Sequence, residues 1–398
     1  MGAPAARASE LSRHWARMGH DVTVLTGFPN HPIGVVPKEW RSRFHRLHGT
    51  EIVDGVRVVR TWLWPLPNRK RHERIRNYVS FAVSAAISGL VLPRPDVVIA
   101  TSPQLLVALA GWWLALCKRA PFVFEVRDLW PESLAAVGQG KEGTLLHRVL
   151  KSIAGFLYHR AARIVVVAPA FKEHLMRRWR VAADRIYVVE NGVETDVFRD
   201  DPAAVELRER LDLENRFLIC YIGTIGNAHG LETLIAAAEN LQAALPSAMF
   251  LLVGEGAEKE NIVHLAAQRG LTNVRFLDQQ PREQIPAYVS AADLCLVMLK
   301  RNELFKMVIP TKLLEYMACG RPVIVAVDGQ ARAIVEEAGA GIYVEPENSQ
   351  ALAGAIRRLF GDPDRAKQMG DRGRQYILER FSRKKTAQNY IAVLKGLQ

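Results

Sequence analysis

Residues 217–256 read FLICYIGTIGNAHGLETLIAAAENLQAALPSAMFLLVGEG: a hydrophobic run, a glycine-rich loop, a helix-period stretch and a second hydrophobic run. Phe217–Thr224 and Met249–Gly256 are almost continuously apolar, as strands buried on both faces of a sheet must be. Leu231–Leu245, between them, has apolar residues at helical spacing. A strand, a crossover helix and a second strand predict two parallel strands of one sheet.

The same alternation continues through the rest of the chain. Helix-period stretches such as Ile285–Ala292 separate most of the further apolar runs. These runs are Asp21–Gly27, Val56–Trp62, Asp96–Ser102, Phe122–Asp128, Arg163–Ala168, Arg185–Asn191, Val274–Asp278, Leu294–Leu299, Pro322–Asp328 and Gly341–Glu345. Alternating strands and helices predict an α/β protein with parallel sheets, built as two Rossmann-like domains.

The boundary between the domains is predicted near residues 192–216. Asn191-Gly192 is a turn signal, and the stretch that follows it is polar and rich in charge. We therefore predict an N-terminal domain over residues 1–195 and a C-terminal domain over residues 196–378. Residues 379–398 are predicted to form a C-terminal helix that crosses back to the first domain.

The start of the chain lacks an element that this architecture requires. A doubly wound domain opens with a strand, whose loop presents the following helix to a ligand. Here Met1-Gly2-Ala3-Pro4 leads directly into the predicted helix Ala6–Met18. Since an absent central strand would leave sheet hydrogen bonds unpaired, we expect that this first strand, about ten residues with its loop, is missing. The alternative is that another segment fills its place.

The charge of the chain is unevenly distributed. The 398 residues are 49% hydrophobic and 24% charged, as in soluble globular proteins, and carry a formal net charge of +12. The whole excess lies in the first half, because residues 1–200 hold 29 Lys or Arg against 17 Asp or Glu. Such asymmetry indicates an anionic partner, which is a nucleic acid, a membrane surface or a phosphorylated substrate. A generally arginine-rich proteome is the alternative explanation.

Cysteine usage and hydropathy favour the cytoplasm. The four cysteines lie far apart, without a disulfide pattern or the paired spacing of a zinc site. No run reaches the roughly 20 apolar residues of a spanning helix, and residues 1–20 lack the apolar core of a signal peptide. We expect a cytoplasmic protein that needs no metal and no bound cofactor.

Ligands of open α/β sheets bind beyond the carboxyl ends of the strands, so these ends carry the candidate site. The loop 221–230 (YIGTIGNAHG) contains Gly223 and Gly226 and follows the first strand of the second domain. Glycines there let backbone N–H groups approach a phosphate, and the next helix adds its positive end. Gly254 and Lys259, in the loop GEGAEK at the next strand end, add a cation for the same diphosphate. A plain turn is the alternative for each loop alone.

Residues 305–322 (FKMVIPTKLLEYMACGRP) form the densest motif of the chain. Pro310 can start a helix, whose first turn then carries Thr311 and Lys312, a hydroxyl and a cation suited to an anion. Glu315 follows on nearly the same face, where a carboxylate can accept two hydrogen bonds from a ribose diol. Taken alone, Glu315 is better explained as a first-turn glutamate favoured by the helix dipole.

Several motifs, taken in order, resemble the GT4 family of retaining, nucleotide-sugar-dependent glycosyltransferases of GT-B fold. They are residues 191–198 (NGVETDVF), the GEGAEK loop and residues 312–324 (KLLEYMACGRPVI). Residues 2–34 (GAPAARASELSRHWARMGHDVTVLTGFPNHPIG) and 125–133 (EVRDLWPES) are similar to a bacterial polysaccharide branch that includes colanic acid and N-acetyl-L-fucosamine transferases. The resemblance covers essentially the whole chain and implies two domains that face each other across a cleft.

The resemblance also implies roles on the donor side. Glu315 would hold the donor ribose, and the cations and glycine loops would hold its diphosphate. The donor-binding residues expected besides Glu315 are Gly223, Gly226, Asn227, His229, Gly254, Lys259, Thr311, Lys312 and, near the base, Phe276.

Two positions depart from the family pattern. Met307 stands where the family has an acid that contacts the sugar, so Glu303 or the turn at Thr311 and Lys312 is the expected substitute. His229 stands where many members have a lysine, and an imidazole is a weaker partner for a phosphate.

In the first domain, Arg127-Asp128 ends a strand and is expected to face the cleft. Many relatives have His-Asp here, so Asp128 would bind the donor sugar or orient the acceptor hydroxyl. An aspartate that only caps the turn before Trp130 is an equal alternative. The candidate catalytic residues are Asp128, Arg127 and Glu303, and the candidate acceptor-side residues are Gly2, Pro29, Asn30 and His31, although a lone histidine is more often structural.

Residues 68–76 (NRKRHERIR) form a basic run ahead of Tyr78 and Phe81. A basic surface edged by aromatic rings suits attachment to an anionic membrane leaflet, and a solvated loop is an equal alternative. The cations expected at the membrane are Arg69, Lys70, Arg71, Arg74 and Arg76.

These features predict transfer of a sugar from a nucleotide-diphosphate donor, with UDP favoured, to a lipid-diphosphate-linked glycan at the inner face of the cytoplasmic membrane. Such a reaction belongs to the synthesis of cell-surface polysaccharide. A nucleotide-sugar epimerase of the same fold stays open, as does a nucleic-acid-binding protein, which the net charge of +12 suggests. The first would need a set of catalytic carboxylates and histidines, and the second a base-reading motif; the sequence offers neither.

Overall fold

A computed structural model describes residues 3–30, 34–45, 48–66, 71–136 and 143–397 of the chain. The chain forms two compact units. The first unit comprises Arg7–Glu190 and Ala387–Gln398, and the second comprises Met1–Ala6 and Asn191–Thr386. The chain therefore divides at 190/191 and 386/387, whereas the sequence prediction divided it at 195/196 and 378/379.

Helices and short strands alternate in the first unit. Its helices are α1 (Ala3–Arg17), α2 (Lys38–His45), α3 (Arg71–Leu90), α4 (Leu105–Lys118), α5 (Glu132–Ala136), α6 (Leu145–Arg160) and α7 (Pro169–Trp179). Its strands are β1 (Thr23–Gly27), β2 (His48–Val53), β3 (Val56–Thr61), β4 (Val98–Thr101), β5 (Phe122–Val126), β6 (Arg163–Val166) and β7 (Ile186–Val188).

The strands of the first unit form two sheets, in the orders β1-β3-β2 and β4-β5-β6-β7. All pairs are parallel except β2 and β3, which form an antiparallel hairpin. The central strand β5 is fully buried, whereas β1 and β4 each lie at the edge of a sheet and are mostly only half-buried. That an opening strand is missing stays a prediction.

Within the described residues, β2 is the one strand that was not predicted from the sequence. Its residues His48–Val53 are largely polar and give no apolar run. The sequence nevertheless contains a hairpin signal, the pair Asp54-Gly55, since Asp-Gly is a usual sequence for the tight turn between two strands. In the structure both residues have the positive φ angles of such a turn (50° and 81°).

The core of the first unit joins distant parts of the chain. Leu11 of α1, Val123 of β5, Val165 of β6 and Val189 pack with two residues from the end of the chain, Ala387 and Tyr390. The Trp15 indole N–H also donates to the carbonyl of Ala387 (3.1 Å). The last residues of the chain thus belong to the core of the first unit.

The second unit has one parallel sheet with helices between successive strands. Its helices are α8 (Ala203–Arg210), α9 (Glu232–Gln242), α10 (Lys259–Gln268), α11 (Ile285–Ala291), α12 (Thr311–Ala318), α13 (Gln330–Ala338), α14 (Ser349–Phe360) and α15 (Pro363–Arg380). Its strands are β8 (Phe217–Ile222), β9 (Ala248–Val253), β10 (Val274–Leu277), β11 (Leu294–Met298), β12 (Val323–Ala326) and β13 (Gly341–Tyr343). The last helix, α16 (Arg383–Leu394), begins in this unit, and its residues from Ala387 onward belong to the first unit.

The six strands of this sheet run parallel in the order β10-β9-β8-β11-β12-β13. Strands β9, β11 and β12 are buried along their whole length, as their continuous apolar sequences require. The predicted α/β class with parallel sheets and two Rossmann-like domains is confirmed. Among the described residues, no helix combines the length and the hydropathy that crossing a bilayer requires.

Candidate functional site

The site lies where the strand order of the six-stranded sheet reverses. From β8 the chain moves outward through β9 and β10, then returns to the other side of β8 to form β11, β12 and β13. The loops that follow β8 and β11 therefore diverge and leave a crevice at the carboxyl edge of the sheet, the usual position of a ligand.

Two glycine turns pack backbone to backbone at this edge. A Cβ atom on Gly254 would lie 1.9 Å from the carbonyl oxygen of Gly223, and one on Gly256 would lie 2.2 Å from that of Ile225. The Ile225 N–H donates to the carbonyl of Glu255 (2.9 Å). Only glycine fits at positions 254 and 256, so the loops after β8 and β9 form one continuous backbone surface.

Lys312 points at the first of these turns from the start of α12. Its Nζ atom lies 3.9 Å from the centroid of the Tyr221 ring and would lie 2.6 Å from a Cβ atom on Gly223. This buried Nζ atom has no hydrogen-bond partner among the described residues. Burial lowers the pKa of Lys312 to about 7, and the carboxylate of Glu315 opposes that shift. A buried, unpaired amine beside a glycine turn is suited to receive an anion.

Glu315 lies one helical turn after Lys312 on α12, and its charge acts on the Lys312 amine. The residue is buried, and its Oε1 atom accepts a hydrogen bond from Nη1 of Arg282 at 3.0 Å. The Arg282 guanidinium also lies over the ring of Phe198, at 5.1 Å from its centroid. Arg282 was not predicted from the sequence, because a single arginine in a polar loop carries no pattern.

Lys259 lies at the start of α10, where its ammonium is held by two carboxylates. Nζ is 2.6 Å from Oε1 of Glu255 and 2.6 Å from Oδ1 of Asp278. Burial disfavours the charged form, but the hydrogen bonds to Asp278 and Glu255 outweigh it and raise the pKa of Lys259. Because an ammonium has three N–H donors, one of them is left for a diphosphate while both carboxylates stay in place.

The turn Asn227–His229 closes the loop after β8. Nζ of Lys300, at the end of β11, donates to Oδ1 of Asn227 (2.6 Å), which ties the two diverging loops together. Burial and the nearby charge of Lys312 lower the pKa of His229 to about 4. His229 is therefore neutral at physiological pH, and Nδ1 lies 3.2 Å from the carbonyl oxygen of Gly226.

Two other predicted donor-binding residues are Thr311 and Phe276. Thr311 is the first residue of α12, after Pro310, as the sequence analysis expected. Phe276 lies within β10 and packs against the hydrophobic core of the unit. Its position next to a base stays a prediction.

Glu303 is a solvent-exposed carboxylate beside a second recess of this edge. Its side chain is 86% exposed and pairs with Nζ of Lys306 at 2.7 Å. The recess is a cavity of about 180 Å³ beyond the ends of β11, β12 and β13. It is lined by Lys300, Arg301, Asn302, Phe305, Lys306, Val327, Asp328, Tyr343, Glu345 and Pro346.

In the first unit, Arg127 and Asp128 follow β5. Burial raises the pKa of Asp128, and the neighbouring Ser133, Leu129 and Trp130 oppose that shift. The Ser133 hydroxyl itself donates to the carbonyl of Leu129 (2.7 Å). Both interpretations of Asp128, as a sugar or acceptor contact and as a turn cap, stay predictions. Arg127 donates from Nε to the carbonyl of Ser102 (3.2 Å) and lies 3.7 Å from Glu125.

A buried ion pair next to Arg127 was not anticipated. Arg7 of α1 lies 3.0 Å from Glu125, with side-chain exposures of 3% and 8%. Arg7 also donates to the carbonyls of Val189 and Glu190. Burial disfavours the charged carboxylate, but Arg7 and Arg127 outweigh it and lower the pKa of Glu125.

The remaining predicted residues fall partly outside the described chain. Pro29 and Asn30 lie just after β1, and the buried Nδ2 atom of Asn30 has no partner among the described residues. Arg74 and Arg76 lie on α3. Gly2, His31, Arg69 and Lys70 are outside the described residues, as is the side chain of Arg71.

The arrangement in the second unit can hold a diphosphate with an attached diol. The backbone surface and the Lys312 amine suit the anion, and the carboxylate of Glu315 suits the hydroxyl pair. Across the described ranges, no group of three or more His, Cys, Asp or Glu side chains is placed to hold a metal ion.

Two family models match the chain. The model described as "Glycosyl transferase 4-like domain" matches residues 2–192, and the model described as "Glycosyl transferases group 1" matches residues 205–376. The chain is 28% identical over 366 residues to the protein named as a colanic acid biosynthesis glycosyl transferase, WcaI, of Escherichia coli (strain K12), covering 88% of this chain and 87% of WcaI.

Two solved structures illustrate the likeness in fold. Sucrose-phosphate synthase from Thermosynechococcus elongatus has a TM-score of 0.79 at 23% identity. The match covers 100% of this chain and 94% of the synthase chain. Anabaena HepE, in complex with UDP and glucose, has a TM-score of 0.70 at 19% identity. The match covers 95% of this chain and 100% of the HepE chain. The carboxyl-edge site and these matches converge on one family.

Proposed function

The chain belongs to the GT4 family of glycosyltransferases, and we propose that it transfers a sugar with retention from a UDP-linked donor to a lipid-diphosphate-linked glycan. In this transfer the bond from the anomeric carbon to the diphosphate oxygen breaks, and a bond to the acceptor oxygen forms. The acceptor hydroxyl gives up its proton as the new bond forms, and the departing diphosphate takes up that proton. The acceptor would be a glycan of the cell surface, assembled at the inner face of the cytoplasmic membrane.

The observation that carries the proposal is the buried, unpaired Lys312 amine beside the glycine turns. It supplies a positive group where a departing diphosphate would need stabilisation, and stabilising a leaving group in this way accelerates transfer. UDP is preferred as the carrier because HepE, of the same fold, is described with UDP and glucose. The acceptor class rests on the likeness to WcaI, which is named for colanic acid biosynthesis.

A transfer assay with Glu315→Gln tests the proposed donor site. The amide keeps the size of the side chain but is a weaker acceptor for a ribose diol, so we expect kcat/KM for the donor to fall about 10- to 100-fold. Glu336→Gln, an exposed glutamate of α13 in the same unit, should leave kcat/KM unchanged. Equal kinetics of Glu315→Gln and the unsubstituted protein would refute the ribose assignment.

The same assay separates transfer from epimerisation. UDP-glucose, UDP-galactose and their N-acetylhexosamine counterparts are each incubated with and without a membrane lipid extract. We expect a glycolipid product only when the extract is present. A new sugar epimer formed without extract would replace the proposal with the epimerase.

A further inference from the structure

One face of α3 is a row of exposed aliphatic side chains. Ile75, Val79, Val83 and Ile87 recur every four residues, and Val91 follows just beyond the helix; we call these five residues the α3 row. Their exposures run from 44% at Val79 to 82% at Val91. Residues four apart are neighbours on the surface of a helix, so the side chains form a continuous ridge. The ridge winds by about 120° around the helix axis between Ile75 and Ile87, and at about 1.5 Å per residue this part is about 18 Å long.

Small residues on the other side of α3 are buried against the rest of the unit. Ala82, Ala85 and Gly89 are buried. A Cβ atom on Gly89 would lie 2.5 Å from Leu114 of α4, so the two helices are in close contact there. Helix α3 is therefore seated on its unit and presents the row outward.

The charges around the row are arranged for an anionic surface. No charged residue occurs between Arg76 and Arg94. Among the described residues, cations outnumber acids at both ends: Arg74 and Arg76 lie near Glu73 at the start, and Arg94 and Lys118 lie with Asp96 at the other end. Lys118 donates to the carbonyls of Leu90 and Leu92 there. An apolar helix face with cations beside it is typical of helices that lie in the plane of a membrane interface.

We propose that the α3 row docks the protein on a bilayer that contains anionic lipid. The aliphatic side chains enter the boundary of the acyl chains, and the cations at both ends meet the headgroup phosphates. The row contains no hydrogen-bonding side chain, which suits lipid better than the mixed polar surface of a transient protein partner. This inference deepens the proposed action on a lipid-linked acceptor and rests on it.

Flotation with phosphatidylcholine vesicles, with and without phosphatidylglycerol, tests the row. The unsubstituted protein should float with the anionic vesicles, and the double variant Val83→Asp, Ile87→Asp should bind them roughly tenfold or more weakly, because charged groups are expelled from the acyl boundary. The matched control is Val205→Asp, an exposed valine of the second unit (66% exposed), which should bind like the unsubstituted protein. Both variants should retain the native melting temperature, since these positions are exposed.

A label on the row separates insertion from mere attraction of charge. Cys117 is exposed and the other three cysteines are buried, so a Cys117→Ser background leaves a single introduced cysteine to carry a polarity-sensitive dye. The fluorescence emission of a dye on Val83→Cys should shift to shorter wavelength when anionic vesicles are added. The emission of the same dye on Val205→Cys should not shift. Equal spectra at the two positions would overturn the proposal.

A second copy of the chain is the competing occupant of the row. Sedimentation equilibrium tests this alternative. A dimer that the double variant Val83→Asp, Ile87→Asp dissociates, in a protein that does not bind vesicles, would overturn docking on lipid. Vesicle binding is measured without donor or acceptor, whereas the proposed function is measured as turnover of a detergent-solubilised acceptor. Docking without turnover would thus count against the proposed function alone.

Discussion

At the level of single residues, Lys312 is the side chain whose charge a bound donor should change. Its pKa is about 7, because burial disfavours the ammonium. The titratable groups that face it are Glu315 on its own helix, Tyr221 on β8 and His229 after the glycine turn. A bound diphosphate would favour the ammonium and raise this pKa, so the protein should take up a proton as the donor binds.

Donor binding should weaken as the pH rises. The gain in affinity from the Lys312 ammonium is fully present below its pKa in the protein without donor, about 7, and is lost as the pH rises through the higher pKa of the complex. We expect the Kd of UDP-glucose to be constant below neutrality and to weaken by up to about tenfold per pH unit above it. Titration calorimetry in buffers of different ionisation enthalpy measures both Kd and the proton uptake, because the phosphates of UDP-glucose are diesters that do not titrate near neutrality.

Lys312→Met is the control for this prediction. It should bind UDP-glucose about 10- to 100-fold more weakly at neutral pH, since a hydrogen bond to a charged group is lost. Its Kd should also be independent of pH in the neutral range. If the methionine variant kept the pH slope of the unsubstituted protein, another group would be responsible.

At the level of elements, a buried arginine holds α1 against the four-stranded sheet. Arg7 pairs with Glu125 of β5, and both side chains are over nine-tenths buried. Arg7→Met would leave the Glu125 carboxylate in the core without this partner. We expect the free energy of unfolding of the first unit to fall by about 3–5 kcal/mol, measured by urea denaturation at neutral pH.

Arg13→Met on the same helix is the matched comparison. Arg13 pairs with Asp54 at 3.6 Å, but the two side chains are 35% and 49% exposed. An exposed pair contributes less than about 1 kcal/mol, so this variant should unfold almost as the unsubstituted protein does. Similar losses for Arg7→Met and Arg13→Met would show that burial does not decide the strength of these pairs.

The open edge of β4 is a second feature at this scale. The N–H groups of Val98 and Ser102 donate toward β5, to Pro121 and Glu125. Because successive N–H groups of a strand point to opposite sides, those of Ile99 and Thr101 face the edge where the described chain has no neighbouring strand. Hydrogen exchange followed by NMR should show Ile99 and Thr101 exchanging faster than Val98 and Ser102. Equal protection would mean that this edge is covered.

At the level of the whole molecule, the two units should respond differently to donor. All donor-site residues of the candidate site belong to the unit Asn191–Thr386. In scanning calorimetry, UDP-glucose at a hundred times its Kd should stabilise that unit by about 2.7 kcal/mol. Glu315→Gln should reduce the shift at the same donor concentration. A donor that stabilised only the unit Arg7–Glu190 would contradict the assignment.

Much of the fold was predictable because its signals are local. Each predicted apolar run overlaps an observed strand, since buried parallel strands must be apolar along their length. β2 escaped because it is polar, although Asp54-Gly55 marked its turn. The glycine turns were predictable for a similar reason, since their role depends on the residue type and its position after a strand.

The sequence by itself determined the α/β class, the strand-end position of the site and the placement of Lys312 and Glu315 on one helix. Only the tertiary structure decided what these side chains contact. Arg282 meets Glu315 across 33 residues, and Arg7 meets Glu125 across 118. The physical reason is that such pairs depend on the order of strands within a sheet and on which helices cover it, and spacing along the chain does not encode either.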